Sequence, residues 1–251
     1  MAAIALTRDV PSTINACELT HLDRRPIDVA LARAQHAAYE DALRAAGCTV
    51  VRLPALDELP DSVFVEDAAV VVDELAVVAR PGAESRRAET ESVAAALRAH
   101  RDVVAIEAPG TLDGGDVLQL GKTIFVGLSE RTNAEGARQL REFLEAYGYV
   151  VKTVEVTGAL HLKTAVTCVG RDKVVVNPQW IDRAHFDCDV VDVDPDEPFA
   201  ANALLAGDTL LCSRAFPKTN ARLGRVVTEI DAGELAKAEG GLTCCSIIFT
   251  V

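Results

Sequence analysis

Basic residues are in short supply: 25 Lys+Arg stand against 38 Asp+Glu, a formal net charge of −13. Nucleic-acid binders and membrane-surface proteins draw affinity from Lys/Arg clusters, so neither partner is expected. A negative field instead concentrates cationic small molecules. Long apolar runs are also missing, since no stretch approaches the ~20 residues that span a bilayer. The segment Met1–Val10 has no basic region followed by an apolar run, and a cytoplasmic location is expected. The cysteines (Cys17, Cys48, Cys168, Cys188, Cys212, Cys244 and Cys245) are odd in number, and none forms a C-x-x-C pair. That argues against a disulfide framework and a clustered zinc site. Neither G-x-G-x-x-G nor G-x-x-x-x-G-K-[ST] occurs, so no phosphate loop is present. Aromatics are only 4% of a chain that is 49% hydrophobic, an ordinary soluble composition at 251 residues, with a core that needs no staples.

What the chain has is a repeat. A Val-Val pair recurs at Val50-Val51, Val103-Val104, Val150-Val151, Val190-Val191 and Val226-Val227, each within a run that reads as a buried strand. Helical spacing precedes the first three. Ile27, Leu31, Ala34, Ala38, Ala42 and Ala45 step by three or four and stop at Gly47; Ala137, Leu140, Leu144 and Tyr147 stop at Gly148; an Ala-rich stretch covers Arg87 to Ala99. The fourth and fifth helical segments, near Trp180 and Thr219, are short. Apolar pairs joined at Asp73-Glu74, Gly121-Lys122, Gly170-Arg171-Asp172 and Gly207-Asp208 read as hairpins. The fifth hairpin needs both chain ends, Cys244–Val251 beside Ala3–Leu6.

The unit is therefore hairpin, helix, strand. Five copies predict an α/β ring about a pseudo-fivefold axis, forming a single domain over residues 1–251. A (β/α)8 barrel wants eight single parallel strands and an all-β propeller wants no helices, so both fit less well.

Rotation should bring matching places together. The hairpin starts carry Glu66-Asp67, then Asp113 and Asp116, then His161, Asn202 and Cys244-Cys245. Singly these are weak signals. His21, His36, His100 and His185 have ordinary homes in loops or helices, and His161 alone falls where the repeat selects. A cysteine with a histidine and an acid suits nucleophilic catalysis, because the thiolate attacks while the imidazole moves the proton. In a strand only one of Cys244 and Cys245 can face the axis, and alternation does not say which. Glu66-Asp67 ends an apolar run and asks for a cation, and a guanidinium matches two carboxylates. Thr111-Leu112-Asp113-Gly114-Gly115-Asp116 has the look of a turn. Arg86 and Arg131 occupy corresponding places before helices and together could fork onto a carboxylate.

Phe64-Val65-Glu66-Asp67, Arg80-Pro81-Gly82-Ala83-Glu84-Ser85-Arg86-Arg87, Thr111–Asp116, Arg131-Thr132-Asn133, Leu160-His161-Leu162-Lys163 and Leu242-Thr243-Cys244 stand in an order that resembles the dimethylarginine dimethylaminohydrolase family over essentially the whole chain. The resemblance implies the five-bladed α/β propeller (pentein) fold of guanidine-modifying enzymes. It implies hydrolysis of Nω-methylated arginines to citrulline and an amine, with no metal or organic cofactor. Catalytic roles are implied for Cys244 as nucleophile, His161 as general acid/base and Asp113 as its orienting acid, where some members have Glu. Glu66 and Asp67 would grip the guanidinium, Arg86 and Arg131 the α-carboxylate, and Asp61 with the backbone of Leu19, in a mobile lid, the α-amino end. The lid stretch Asn15–Arg25 matches only loosely, and Glu239 stands where relatives carry Asp. A cysteine–histidine–carboxylate cluster is also expected to capture stray zinc as an inhibitor.

Rival readings are a hydrolase or deiminase for arginine or another guanidino compound, a catalytically silent cationic-amino-acid binder and, last, a structural zinc protein. The two arginines argue against agmatine, which has no α-carboxylate. The partner is a small molecule in each leading case, and homodimerisation is left open.

Overall fold

In the computed structural model, which describes residues 3–251, five three-stranded sheets surround a common axis. The first sheet orders β15 (Ile247–Thr250), β1 (Ala3–Arg8) and β2 (Cys48–Leu53), with α1 (Val29–Ala45) between β1 and β2. The second joins β3 (Ala69–Val71), β4 (Leu75–Val78) and β5 (Asp102–Ala105) with α2 (Thr90–Leu97); the third joins β6 (Val117–Leu120), β7 (Thr123–Leu128) and β8 (Val150–Glu155) with α3 (Ala134–Leu144). The one-turn α4 (Leu162–Ala165) opens the fourth, β9 (Val166–Gly170), β10 (Lys173–Val176) and β11 (Asp189–Asp192). The fifth has β12 (Leu204–Ala206), β13 (Thr209–Ser213) and β14 (Thr228–Ile230) with α5 (Pro217–Arg222). The one-turn α6 (Gly233–Ala236) follows it on the way to β15.

In every sheet the middle strand runs antiparallel to the first and parallel to the third, the pattern that a hairpin followed by a crossover produces. The first sheet is completed by the two ends of the described chain, Ala3 opposite Thr250 and Leu6 opposite Ile247. The expected ring and its closure are both present. Two details differ. The Val-Val runs lie in third strands that are half-buried edges, and Val226 precedes β14 with 92% exposure. No helix lies near Trp180; a single 3-10 turn, Arg183–His185, stands between β10 and β11.

The core is made between sheets. Alternate residues of each middle strand point to opposite faces, and here they join two different apolar clusters. Ile124 and Val126 of β7 pack toward the second sheet while Phe125 packs toward the fourth. In β10, Val174 and Val176 face the third sheet and Val175 the fifth. In β1, Ala5 faces the fifth sheet while Ile4 and Leu6 face the second. First strands are left to line the axis, where Val70, Leu118, Thr167, Leu204 and Ile248 surround a channel. The chain turns that enter these first strands form the channel's other end.

Candidate active site

Each hairpin is entered through a tight turn, and these turns crowd together at the axis. Glu66 and Asp67 sit in a 3-10 turn, Val65–Ala68, rather than at the end of a strand. Asp113 precedes the turn Gly114–Asp116, and His161 caps α4 one helical turn before β9. Cys244 lies in the turn Thr243–Cys245. Asn202 braces this last turn, donating from Nδ2 to the Thr243 hydroxyl (3.0 Å) and accepting the Thr243 N–H (3.1 Å).

The two adjacent glycines are required by closeness, not by turn geometry. A Cβ on Gly114 would lie 1.9 Å from the Glu66 carbonyl oxygen, and one on Gly115 would lie 2.8 Å from both Asp67 Oδ1 and His161 Nδ1. With no side chain in the way, the Gly115 N–H reaches Asp67 Oδ1 at 3.0 Å.

A small cavity opens onto these turns, lined by Asp61, Asp67, Arg86, Arg131, His161 and Cys244 with Glu18, Phe64, Leu160, Ala238, Glu239 and Gly240. His161 is buried, its Nε2 3.0 Å from Asp113 Oδ2 and its Nδ1 3.8 Å from Asp67 Oδ1. Asp113 lies behind the imidazole, fully buried, and its other oxygen accepts the Gly82 N–H at 2.9 Å. Burial opposes charge on His161, but Asp67, Asp113 and Asp116 outweigh it and raise the imidazole to about 9. It is therefore an imidazolium at neutral pH. Asp67 is held at about 2: burial pushes it up, and His161, Arg86 and the Gly115 N–H more than reverse that.

Asp116, buried without a cation in direct contact, goes the other way. Burial lifts it to about 6 against the pull of His161, the Ser129 and Thr132 hydroxyls and the Leu162 N–H. Its contact with that N–H, 2.9 Å, pins the first turn of α4 and hence His161.

Cys244 is half-buried, and its Sγ accepts the Gly241 N–H at 3.3 Å. Burial first, then Glu66 and Asp67, push the thiol up to about 12, so at neutral pH it is protonated. Cys245 is buried, its thiol directed at the Gly241 carbonyl (3.5 Å), so Cys244 is the member of the vicinal pair that lines the cavity.

Glu66 is not at this cavity. It faces the axial channel, accepting from Lys163 Nζ (2.7 Å) and the Thr243 hydroxyl (2.7 Å). The acidic pair expected to grip one cation is split by the turn, with Asp67 on the cavity side and Glu66 behind. The lysine that pairs with it stands two residues after His161, a placement the sequence reading overlooked.

The arginines differ from one another. Arg86 is 6% exposed and its guanidinium is held from several sides: Nη1 donates to Asp67 Oδ2 at 2.7 Å, Nε and Nη2 to Glu89 at 3.2 and 2.9 Å, and Nη2 also to the Phe64 carbonyl at 3.2 Å. Glu89 is absent from the sequence reading, although an acid three residues after an arginine at a helix start is a recognisable pair. Burial raises Glu89 to about 7 despite its contact with Arg86. Arg131 is half-buried, donating to the Thr20 hydroxyl at 3.1 Å.

The segment Asn15–Arg25 lies across the cavity mouth. Asp61, whose carboxyl burial raises, accepts the Glu18 N–H at 3.0 Å. Glu18 lines the cavity and Leu19 does not, Leu19 packing instead against the apolar cluster under α1. Three consecutive N–H groups, those of Thr20, His21 and Leu22, converge on the Glu239 carboxylate at 2.6–3.2 Å. Glu239 holds φ at 59°, uncommon for a residue with a side chain, and its carboxylate meets this segment. Replacing Glu239 by Ala removes these acceptors, and tryptic cleavage after the exposed Arg24 is expected to speed up about tenfold. An unchanged cleavage rate would show that these contacts do not hold the segment.

Among the described residues the side chains grouped closely enough to share a metal ion are Asp67, Asp113 and His161, with ligand atoms within 4.8 Å of one another. Cys244 is not in the group, contrary to the expected cysteine–histidine–carboxylate set. All three are already engaged with one another or with Arg86, so an ion would have to break those contacts.

Comparison with known proteins bears on this arrangement. A family model described as N,N dimethylarginine dimethylhydrolase, eukaryotic, matches residues 9–193. The chain is 44% identical to the N(G),N(G)-dimethylarginine dimethylaminohydrolase of Streptomyces coelicolor, over 91% of this chain and 90% of the relative. It is 35% identical to the enzyme of that name from Pseudomonas aeruginosa, over 95% of each. The solved structure of a cysteine-to-serine variant of the Pseudomonas aeruginosa protein, complexed with citrulline, superposes with a TM-score of 0.94 at 34% identity and covers 99% of this chain. The N-terminal domain of a cyanobacterial arginine dihydrolase superposes at 0.86 with 18% identity, which is a likeness of fold.

Proposed function

The chain belongs to the dimethylarginine dimethylaminohydrolase family, and from that premise we propose that it hydrolyses Nω-methylated arginines to citrulline and an alkylamine through a covalent Cys244 intermediate. The observation that carries this reading is the meeting of Cys244, His161 and Asp67 at one cavity from three different modules. Asp113, Asp61, Arg86 and Arg131 complete the proposed machinery. The reading takes residues 1–251 as one catalytic unit acting in the cytoplasm, and among the described residues no helix is long and apolar enough to cross a membrane.

A guanidinium bound beside Asp67 places its carbon near Cys244, with the α-carboxylate directed to Arg86 and Arg131 and the α-amino group to Asp61. The cation offsets the carboxylate field that keeps the thiol protonated, so substrate itself favours the thiolate, and the Sγ proton leaves to solvent because His161 already carries its own. Thiolate attack at the guanidinium carbon gives a tetrahedral adduct. The imidazolium of His161 donates its proton to the substituted nitrogen, the carbon–nitrogen bond breaks and the amine departs, leaving an S-alkylthiouronium. His161, now neutral, takes a proton from water as the water oxygen attacks the same carbon; collapse expels the thiolate and releases citrulline. Asp113 keeps the imidazole oriented throughout and favours its return to the charged form.

Release of the ureido product and of amine or ammonia from asymmetric dimethylarginine, monomethylarginine, arginine and agmatine tests the reading, with turnover of the methylated pair expected. A preference for arginine would overturn the substrate assignment. The substrate-assisted thiolate makes a second expectation. Near pH 7 an amidinium-bearing alkylating agent should modify Cys244 at least about tenfold faster than neutral iodoacetamide, because only the former carries the offsetting charge. Equal rates, read by mass spectrometry of the labelled peptide, would remove the electrostatic part of the mechanism.

A further inference from the structure

The Arg86 guanidinium is the most heavily engaged charge at the site. One edge, Nε and Nη2, lies against Glu89 in a two-point contact (3.2 and 2.9 Å), and the opposite corner, Nη1, donates to Asp67. Glu89 is 4% exposed and does not line the cavity. Its own backbone is fixed as well, since Arg8, fully buried, donates from Nη2 to the Glu89 carbonyl (3.5 Å) and to the Ser92 hydroxyl (2.8 Å). A planar fork held along one edge has its remaining N–H directions set. With Asp67 taking one Nη1 proton, the other is left at the cavity wall that Arg86 forms.

We propose that Glu89 is a positioning residue: by gripping the far edge of Arg86 it fixes the N–H that meets the substrate carboxylate and, through Asp67, the carboxylate that meets the guanidinium. The inference rests on the proposed reaction, in which Arg86 and Asp67 touch substrate. Without the two Glu89 carboxylate oxygens the guanidinium loses its two-point hold and turns toward Asp67, drawing that carboxylate away from the Gly115 N–H. Binding suffers, whereas the Cys244 and His161 chemistry of molecules that do bind is retained.

The test is a comparison of wild type, Glu89→Gln, Glu89→Asp, Arg86→Lys and the Arg86→Lys/Glu89→Gln double variant by steady-state kinetics on asymmetric dimethylarginine. Each substitution at Glu89 is also placed in a Cys244→Ser background, where the Kd of the same substrate is read by calorimetry. For Glu89→Gln a rise in KM and Kd of about 30-fold is expected with kcat changed less than about threefold. Glu89→Asp, which keeps the charge and the fold, should recover part of that loss. The double variant should be no worse than Arg86→Lys alone, because both act through one guanidinium. The inference is overturned if KM and Kd stay within about threefold of wild type, if kcat falls instead of KM rising, or if the two losses multiply. If Glu89→Gln does not fold, Glu89→Asp decides, since an unchanged KM there overturns the proposal equally. Absence of wild-type turnover would be a failure of the proposed reaction, whereas the calorimetric comparison would still read the role of Glu89.

Discussion

Cys244→Ser is expected to lose at least about 10⁴-fold in kcat while still binding asymmetric dimethylarginine, because removing the nucleophile of a catalytic unit typically costs about 10⁶-fold. Sulfur is the group that the site can convert to an anion: a bound cation needs to lower a thiol from about 12, whereas a serine hydroxyl starts far higher and is a weaker nucleophile at the same carbon. The fold should be untouched, since serine is close to cysteine in size and can still accept the Gly241 N–H that Sγ accepts. Citrulline release and calorimetry on the same preparation separate the two effects. Turnover within about tenfold of wild type would move the nucleophile to another residue, with Cys245 the first alternative.

Replacement of His161 by Gln should lower kcat by about 10³-fold, within the range typical of a lost general acid and base. It should also remove a feature of the stability curve. The folded pKa of His161, about 9, is above its unfolded value near 6.5. The stabilisation is therefore complete below pH 6.5 and is lost as pH rises through 9. The shift is worth ~3 kcal/mol, shared with Asp67 because each holds the other's charge. Urea unfolding at pH 6 and pH 9 should show this loss in wild type and a much flatter profile in His161→Gln. Wild-type turnover should decline over the same alkaline range as the proton needed by the leaving amine disappears. A stability profile equally steep in the variant would place the titrating group elsewhere.

The repeat was the informative part of the sequence. It located the turns that meet at the axis and so selected His161 from five histidines and Cys244-Cys245 from seven cysteines, without any local motif for either. Resemblance to a known family then supplied the roles. What sequence could not supply was direction. Glu66 and Asp67 are neighbours in a 3-10 turn, and strand or helix periodicity says nothing about which way each points; only the axis decides that Asp67 faces the cavity and Glu66 faces Lys163. The Gly114-Gly115 pair looked like turn chemistry because a close approach by Glu66, Asp67 and His161 from distant sequence leaves no trace in the pair itself. Val-Val pairs marked third strands correctly in four modules, yet suggested burial where the strands are edges. The middle strands were the ones with both faces covered. Glu89 was missed because a buried carboxylate at a helix start is indistinguishable, in one sequence, from a solvated one.

The alternating allegiance of the middle strands has a consequence for how the molecule comes apart. In an open stack of repeats each unit touches only its neighbours and the array frays from its free ends. This ring has no free end: β1 pairs with β15, and every middle strand is divided between two clusters. Removing one module therefore uncovers two interfaces at once. It also separates the turns whose convergence makes the cavity. Mathematically it is a chain with a periodic boundary, for which partial melting has no favourable starting point. Loss of secondary structure and loss of the catalytic geometry should then be a single event.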